Sequence, residues 1–231
     1  MRNILKRAFA FCLILAVVSV MTACGDNDEN KGDTGAAGTD SIVITGSSSA
    51  AGLVKALGND FKEEYKDKYP DLEFKITDED SGSAIDAVRS GKADIGLVSR
   101  AVTDEEKSLV DDVEVFAMDG IAVIANKNCN IENLTVSQAK KIFSGQIVNW
   151  SDVGGENTRI NVYSREESSG TRNEFLNLLG LNSIFDTTKE KKLTDRATVY
   201  NSSEEVKKAV AGDKSGGYIS MTALDKTVKD V

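Results

Sequence analysis

The chain has no histidine, a single proline and only three cysteines in 231 residues. Without histidine there is no Ser-His-Asp or Cys-His nucleophile, no imidazole acid–base chemistry and no common zinc site. Cys12, Cys24 and Cys129 lie far apart with no CxxC spacing, so they support neither a disulfide framework nor a cysteine metal site. No cofactor or metal is expected. Basic residues are also scarce, 28 against 37 acidic, for a formal net charge of −9. A nucleic-acid partner is therefore not expected, because neutralising a phosphate backbone needs a basic face. At 40% hydrophobic residues the chain is long enough for one large domain or two small lobes with a sizeable core.

Arg2, Lys6 and Arg7 precede an almost unbroken apolar run from Ala8 to Met21. A run of 14 residues is short for a bilayer and fits the apolar region of a secretory signal. It ends in Met21-Thr22-Ala23-Cys24, which resembles a bacterial lipobox, although Met21 stands where leucine is usual. Residues 1–23 are thus expected to be a lipoprotein signal, with Cys24 lipidated as the mature N-terminus. An ordinary cleaved signal or a short anchor is the alternative. Residues 24–40 are rich in Gly, Asp, Asn and Thr and have almost nothing to bury, the composition of a flexible tether. This arrangement implies a protein anchored to the cell membrane through lipid and folded on its extracytoplasmic face. The mature chain would carry 25 basic and 37 acidic residues, a formal net of −12. Any bound anion must then be held by local donors and not by a global attractive field.

From Ser41 onward strands and helices alternate. Ser41–Thr45, Leu72–Ile76 and Asp94–Ser99 read as strands. Between them, Leu53, Leu57, Phe61 and Tyr65 recur at helical spacing, and Ile85 and Val88 sit on a short helix that stops at Gly91. Thr103 with Glu106, Thr135 with Gln138 and Ser202 with Glu205 are capping boxes, predicting helices to about Val110, Gly145 and Ala211. Val113–Met118, Ile121–Ala125, Arg159–Tyr163, Ala197–Tyr200 and Tyr218–Ser220 read as further strands, and Thr171–Leu179 as a helix. Such alternation predicts an α/β fold with mostly parallel sheets.

Three strand-to-helix junctions share one composition: Gly46-Ser47-Ser48-Ser49, Asp80-Ser81-Gly82-Ser83, and Ser164 to Thr171 with Ser168-Ser169-Gly170-Thr171 at its end. Free N–H groups and a partial positive charge at helix N-termini can receive an anion. Hydroxyl side chains add donors, and ligands collect at the carboxyl ends of strands in α/β sheets. Serine as an ordinary N-cap explains each junction alone, but three of one kind exceed what capping requires. The third also carries Arg165, able to pair bidentately with an oxyanion.

Asp119-Gly120-Ile121-Ala122-Val123-Ile124, Ile142-Phe143-Ser144-Gly145, Asn149-Trp150-Ser151-Asp152-Val153-Gly154-Gly155 and Ser164-Arg165-Glu166-Glu167-Ser168-Ser169-Gly170-Thr171-Arg172 resemble the phosphate-binding lipoproteins of phosphate ABC transporters. The likeness runs from about Ser41 to the C-terminus. It implies a two-lobed periplasmic-binding-protein type II fold, with lobe 1 at 41–118, lobe 2 at 119–220 and a return crossover toward lobe 1 at 221–231. Relatives continue past this point, so lobe 1 is expected to be incomplete at the C-terminus. The resemblance also implies capture of inorganic phosphate by a monomer, without catalysis, and delivery to the permease subunits of the importer.

Carried over by position, Arg165, Ser169, Gly170 and Thr171 match the family's guanidinium and loop contact. Ser81 and Ser83 match its first-lobe serine loop, and Ser47, Ser48 and Ser49 its first anion loop. Ser99 and Arg100 stand where some members have an aspartate, so Asp119 becomes the candidate acceptor for the proton of hydrogen phosphate. Simpler roles exist for several: a turn residue for Asp119, an ion pair for Arg100, a solvated side chain for Arg172. Sulfate, molybdate or tungstate would suit the same loops, as would a sensor or adhesion module. Ser137-Gln138-Ala139-Lys140 fits the serine–lysine hydrolase pattern, but the companion S-D-N and K-T-G signatures are missing. Trp150 is read as packing, and Cys129 is given no role.

Overall fold

The computed structural model describes residues 41–231, so the signal segment, Cys24 and the tether lie outside the described residues. Strands β1 (Ser41–Ser47), β2 (Glu73–Glu79) and β3 (Ile95–Leu97) form a parallel sheet in the order β2-β1-β3. Parallel neighbours need crossovers, supplied here by helices α1 (Ser48–Glu64) and α2 (Ser81–Arg89). Helix α1 buries Ala51, Val54, Leu57 and Phe61. Ala51 and Val54 pack with Ile44 and Leu97 of the sheet. Val54, not Leu53, is the buried residue at that turn.

The capping box of Thr103 and Glu106 forms as predicted, but helix α3 runs only from Asp104 to Lys107. The strand expected at Val113–Met118 is not formed. A strand needs a hydrogen-bonded neighbour, and β1, β2 and β3 pair only with one another. Phe116 packs on the Ile44 cluster, whereas Val115 and Met118 face solvent.

Strand β4 (Ile121–Asn126) opens the second half. Helix α4 (Val136–Phe143) follows, with its Thr135–Gln138 capping box complete. Strands β5 (Tyr163–Arg165) and β6 (Thr198–Tyr200) pair in parallel, with helix α5 (Gly170–Leu178) between them. The expected strand at Arg159–Tyr163 thus begins later than its apolar pattern suggests, and only single bridges form at Arg159 and Val162. Helix α6 (Ser203–Gly212) and strand β7 (Gly216–Ser220) complete the predicted alternation.

The core of this half is aromatic. The Phe175 and Tyr218 rings stack at 4.0 Å, and Phe143 meets Phe175 edge-on at 4.7 Å. Trp150 packs as expected, and its indole N–H donates to Lys214 O at 3.0 Å.

The final segment departs from the expected return toward the first lobe. Strand β8 (Val228–Asp230) pairs antiparallel with β4, giving a sheet in the order β7-β4-β8. Three contacts hold the chain there. The buried Lys207 ammonium donates to Ala223 O and pairs with Asp225, both at 2.9 Å, and Val228 is buried against α6 and β4.

Candidate anion-binding site

Strands β1, β2 and β5 each end in a serine-bearing turn that opens a helix, and the three turns converge. The Ser49 and Thr171 hydroxyls lie 3.0 Å apart and are buried. Ser99, just beyond β3, joins them: its Oγ accepts from Ser47 Oγ at 2.8 Å and lies 3.5 Å from Thr171 Oγ1. The Ser99 amide donates to Ser81 Oγ at 3.2 Å. Gly170 closes the group. A Cβ there would overlap Ser81 Oγ and come within 2.7 Å of Ser99 Oγ, so only glycine lets the α5 turn approach so closely. Gly46 does the same service at the end of β1. Its φ is +131°, and a Cβ would lie 2.7 Å from Ala84 Cβ and overlap the Leu97 carbonyl.

Ser47, Ser49, Ser81, Ser99, Gly170 and Thr171 are therefore brought together as the sequence predicted, from both halves of the chain. Ser48 lies in the same turn, and its buried hydroxyl has no hydrogen-bond partner among the described residues. Ser169 caps α5, accepting from Arg172 N at 3.2 Å.

Ser83 is held elsewhere. Its hydroxyl donates to Asp80 at 2.6 Å, and Asp80 also accepts from Gly82 N and Ser83 N, both at 2.8 Å. Burial pushes the Asp80 carboxyl up, but the bonds from Ser83, Gly82 and Ser168 outweigh it and hold the group below its ordinary value. The N-terminus of α2 thus carries its own ionised cap.

Two of the predicted cationic residues are already paired. Arg100 makes bonds of 2.7 and 2.6 Å to the two Glu106 carboxylate oxygens, which is the ion pair offered as its simpler role. This guanidinium, opposed by burial and aided by Thr103, holds the Glu106 carboxyl below its ordinary value. Arg165 is buried, and its Nε and Nη2 donate to Glu166 at 2.9 and 2.7 Å. It also reaches Asn201 O at 3.1 Å and Ser203 Oγ at 3.4 Å. The place expected for an oxyanion on Arg165 holds the carboxylate of the next residue.

Asp119 is exposed and reaches the cluster only indirectly. It accepts from Ser220 Oγ at 2.5 Å, Ser220 bonds Thr222 at 2.6 Å, and Thr222 Oγ1 donates to Ser49 O at 3.4 Å. Ser220 and Thr222 were missed in the sequence. The available signal was a pair of hydroxyl residues two apart at the end of a strand.

The hydrolase pattern is not assembled. Ser137 is exposed on α4, and Lys140 donates to Gly180 O at 2.9 Å, not to Ser137. What the cluster offers is a set of neutral hydroxyl donors between two helix N-termini, those of α1 and α5. That set suits a small oxygen-rich anion.

A family model described as a PBP superfamily domain matches residues 31–231. The phosphate-binding protein PstS of Bacillus subtilis is 32% identical over 176 residues, covering 71% of this chain and 56% of that protein. The chain thus spans about half the length of the curated relatives it matches. A Clostridium perfringens protein described as a phosphate ABC transporter substrate-binding protein, solved with bound phosphate, superposes with a TM-score of 0.73. It is 35% identical, over 83% of this chain and 75% of that one. An ABC-type phosphate transport receptor from Vibrio cholerae gives a TM-score of 0.61 at 32% identity, over 82% of this chain and 75% of that one. The resemblance and the fold class inferred from the sequence are borne out.

Proposed function

This chain belongs to the PBP superfamily, beside the substrate-binding proteins of phosphate ABC transporters, and we propose that it captures inorganic phosphate and delivers it to an importer. The observation that carries this is the meeting of Ser49, Ser81, Gly170 and Thr171 from three strand-to-helix turns with Ser99 beyond β3. Hydroxyls rotate, so donors that bond one another can turn to an anion placed among them. In this mechanism they replace its water shell, together with the Ser47 and Ser48 hydroxyls and the first N–H groups of α5. Arg165 takes the anion by exchanging the Glu166 carboxylate for it. Contacts made to both halves at once favour the closed form.

Asp119 serves as acceptor for the ligand proton through the Ser220 hydroxyl, which favours hydrogen phosphate over fully ionised sulfate. The protein works as a monomer without catalysis, anchored by lipid on Cys24 at the extracytoplasmic face. Permease subunits of the importer are its protein partner.

One observation favours a second oxyanion. Among the described residues the cluster's hydroxyls bond one another and not a carboxylate, which suits an ion without a proton, such as sulfate or molybdate. Titration calorimetry with phosphate, sulfate and molybdate decides between them. Phosphate is expected to bind most tightly; tighter sulfate or molybdate changes the ligand, and no heat with any of the three removes anion capture.

A further inference from the structure

Three arginines lie close in sequence to residues of the hydroxyl cluster, and their charges are balanced differently. Arg100 is paired at 2.6 Å with Glu106, and Arg165 at 2.7 Å with Glu166. Arg172 directly follows Thr171, in the first turn of α5. Its side chain is 15% exposed, yet its carboxylate contact is Glu167 at 3.9 Å, and Glu167 is itself 95% exposed. The Arg172 Nε, like that of Arg100, is buried with no hydrogen-bond partner among the described residues, but Arg172 lacks the close carboxylate that Arg100 has in Glu106. A largely buried guanidinium with an unused donor and a distant, solvated counter-charge is costly. Nearby Tyr218 offers no compensation: burial raises its phenol above the ordinary value, so it stays neutral.

We infer that Arg172 supplies the uncompensated positive charge for the bound anion, a dianionic tetrahedral oxyanion of the phosphate class. This rests on the anion-capture reading above and adds a binding residue to it. Arg100 keeps the Glu106 carboxylate, and Arg165 must release Glu166 before its charge can face an anion. Arg172 brings no carboxylate at close range. It therefore offsets the anion's second charge, while the hydroxyls of Ser49, Ser99 and Thr171 fix its position.

The test is Arg172→Gln and Arg172→Lys beside the wild-type chain, each titrated with inorganic phosphate and melted with and without it. The expected result is phosphate affinity weaker by about tenfold or more in Arg172→Gln, because a charge-assisted contact is lost. Arg172→Lys should recover part of it. Melting of Arg172→Gln without phosphate should not fall, since an unbalanced buried charge has been removed. Its stabilisation by phosphate should shrink. Affinity within twofold of wild type overturns the role of Arg172 and leaves phosphate capture standing. A lowered phosphate-free melting point, or failure to fold, also overturns it by making Arg172 structural. If the wild-type chain itself binds no phosphate, anion capture fails, whatever the variants do.

Discussion

The hydroxyls of Ser49 and Thr171 stand 3.0 Å apart although 122 residues separate them in sequence. One follows a strand of the first sheet and the other opens a helix of the second half. Their meeting makes the two halves share one polar centre.

Thr171→Val keeps the side-chain shape and deletes the hydroxyl that faces both Ser49 and Ser99. Phosphate affinity should fall by about 1–2 kcal/mol, the loss expected when a buried partner goes unsatisfied. Titration calorimetry reads this directly, and a wild-type dissociation constant takes Thr171 out of the site.

Gly170→Ala places a methyl group against the Ser81 and Ser99 hydroxyls. The α5 turn must then withdraw, separating the groups that meet across the two halves. We expect phosphate binding to weaken at least tenfold, about 1.4 kcal/mol or more, while the melting point changes little. An alanine variant that binds as tightly as wild type would falsify the close approach of the turn.

Acid sensitivity should report on Arg100 and Glu106. The folded Glu106 carboxyl titrates below its unfolded value of 4.5 because the Arg100 guanidinium, against burial, favours the charged form. Its contribution is therefore complete above pH 4.5 and fades as pH falls through the lower folded value. Glu106→Gln keeps the capping-box oxygen and removes the charge. It should cost about 1–3 kcal/mol at pH 7, with the gap to wild type narrowing in acid. Urea unfolding across the pH range checks this; a gap independent of pH contradicts it.

The alkaline limb has a different source. Burial, reinforced by the Asp213 carboxylate that accepts its hydroxyl at 2.6 Å, pushes the Tyr163 phenol up to about 12 from 10.0. Between those values the unfolded chain releases a proton that the folded chain retains. Stability should thus be intact below pH 10 and fall as pH rises toward 12. Tyr163→Phe should flatten that decline. A decline as steep in the variant assigns it to another group.

Much of the fold was legible because its signals are local. The capping boxes at Thr103 and Thr135 form as read, since side chain and backbone partner lie within one turn. The serine turns were legible as junctions, and those after β1 and β2 lie together because parallel strands carry their carboxyl ends to one side, whereas the turn that opens α5 follows a strand of a separate sheet, so its arrival there was not legible. Other non-local facts were not legible either. Val113–Met118 has the apolar composition of a strand but joins no sheet, and composition does not show whether a strand edge is open to receive it. Val228–Asp230 is short and charged, so nothing in it announced pairing with β4. Arg165 was read as open to an anion because composition does not show which charge a guanidinium already holds. Here the adjacent Glu166 bends back onto it.

Amide hydrogen exchange with and without phosphate most directly tests whether an anion is held where the two halves meet. Saturating phosphate should slow exchange at Ser47–Ser49 and at Ser169–Thr171 together, because one ligand engages both turns. Slowing at only one of the two turns, or at neither, contradicts capture between them.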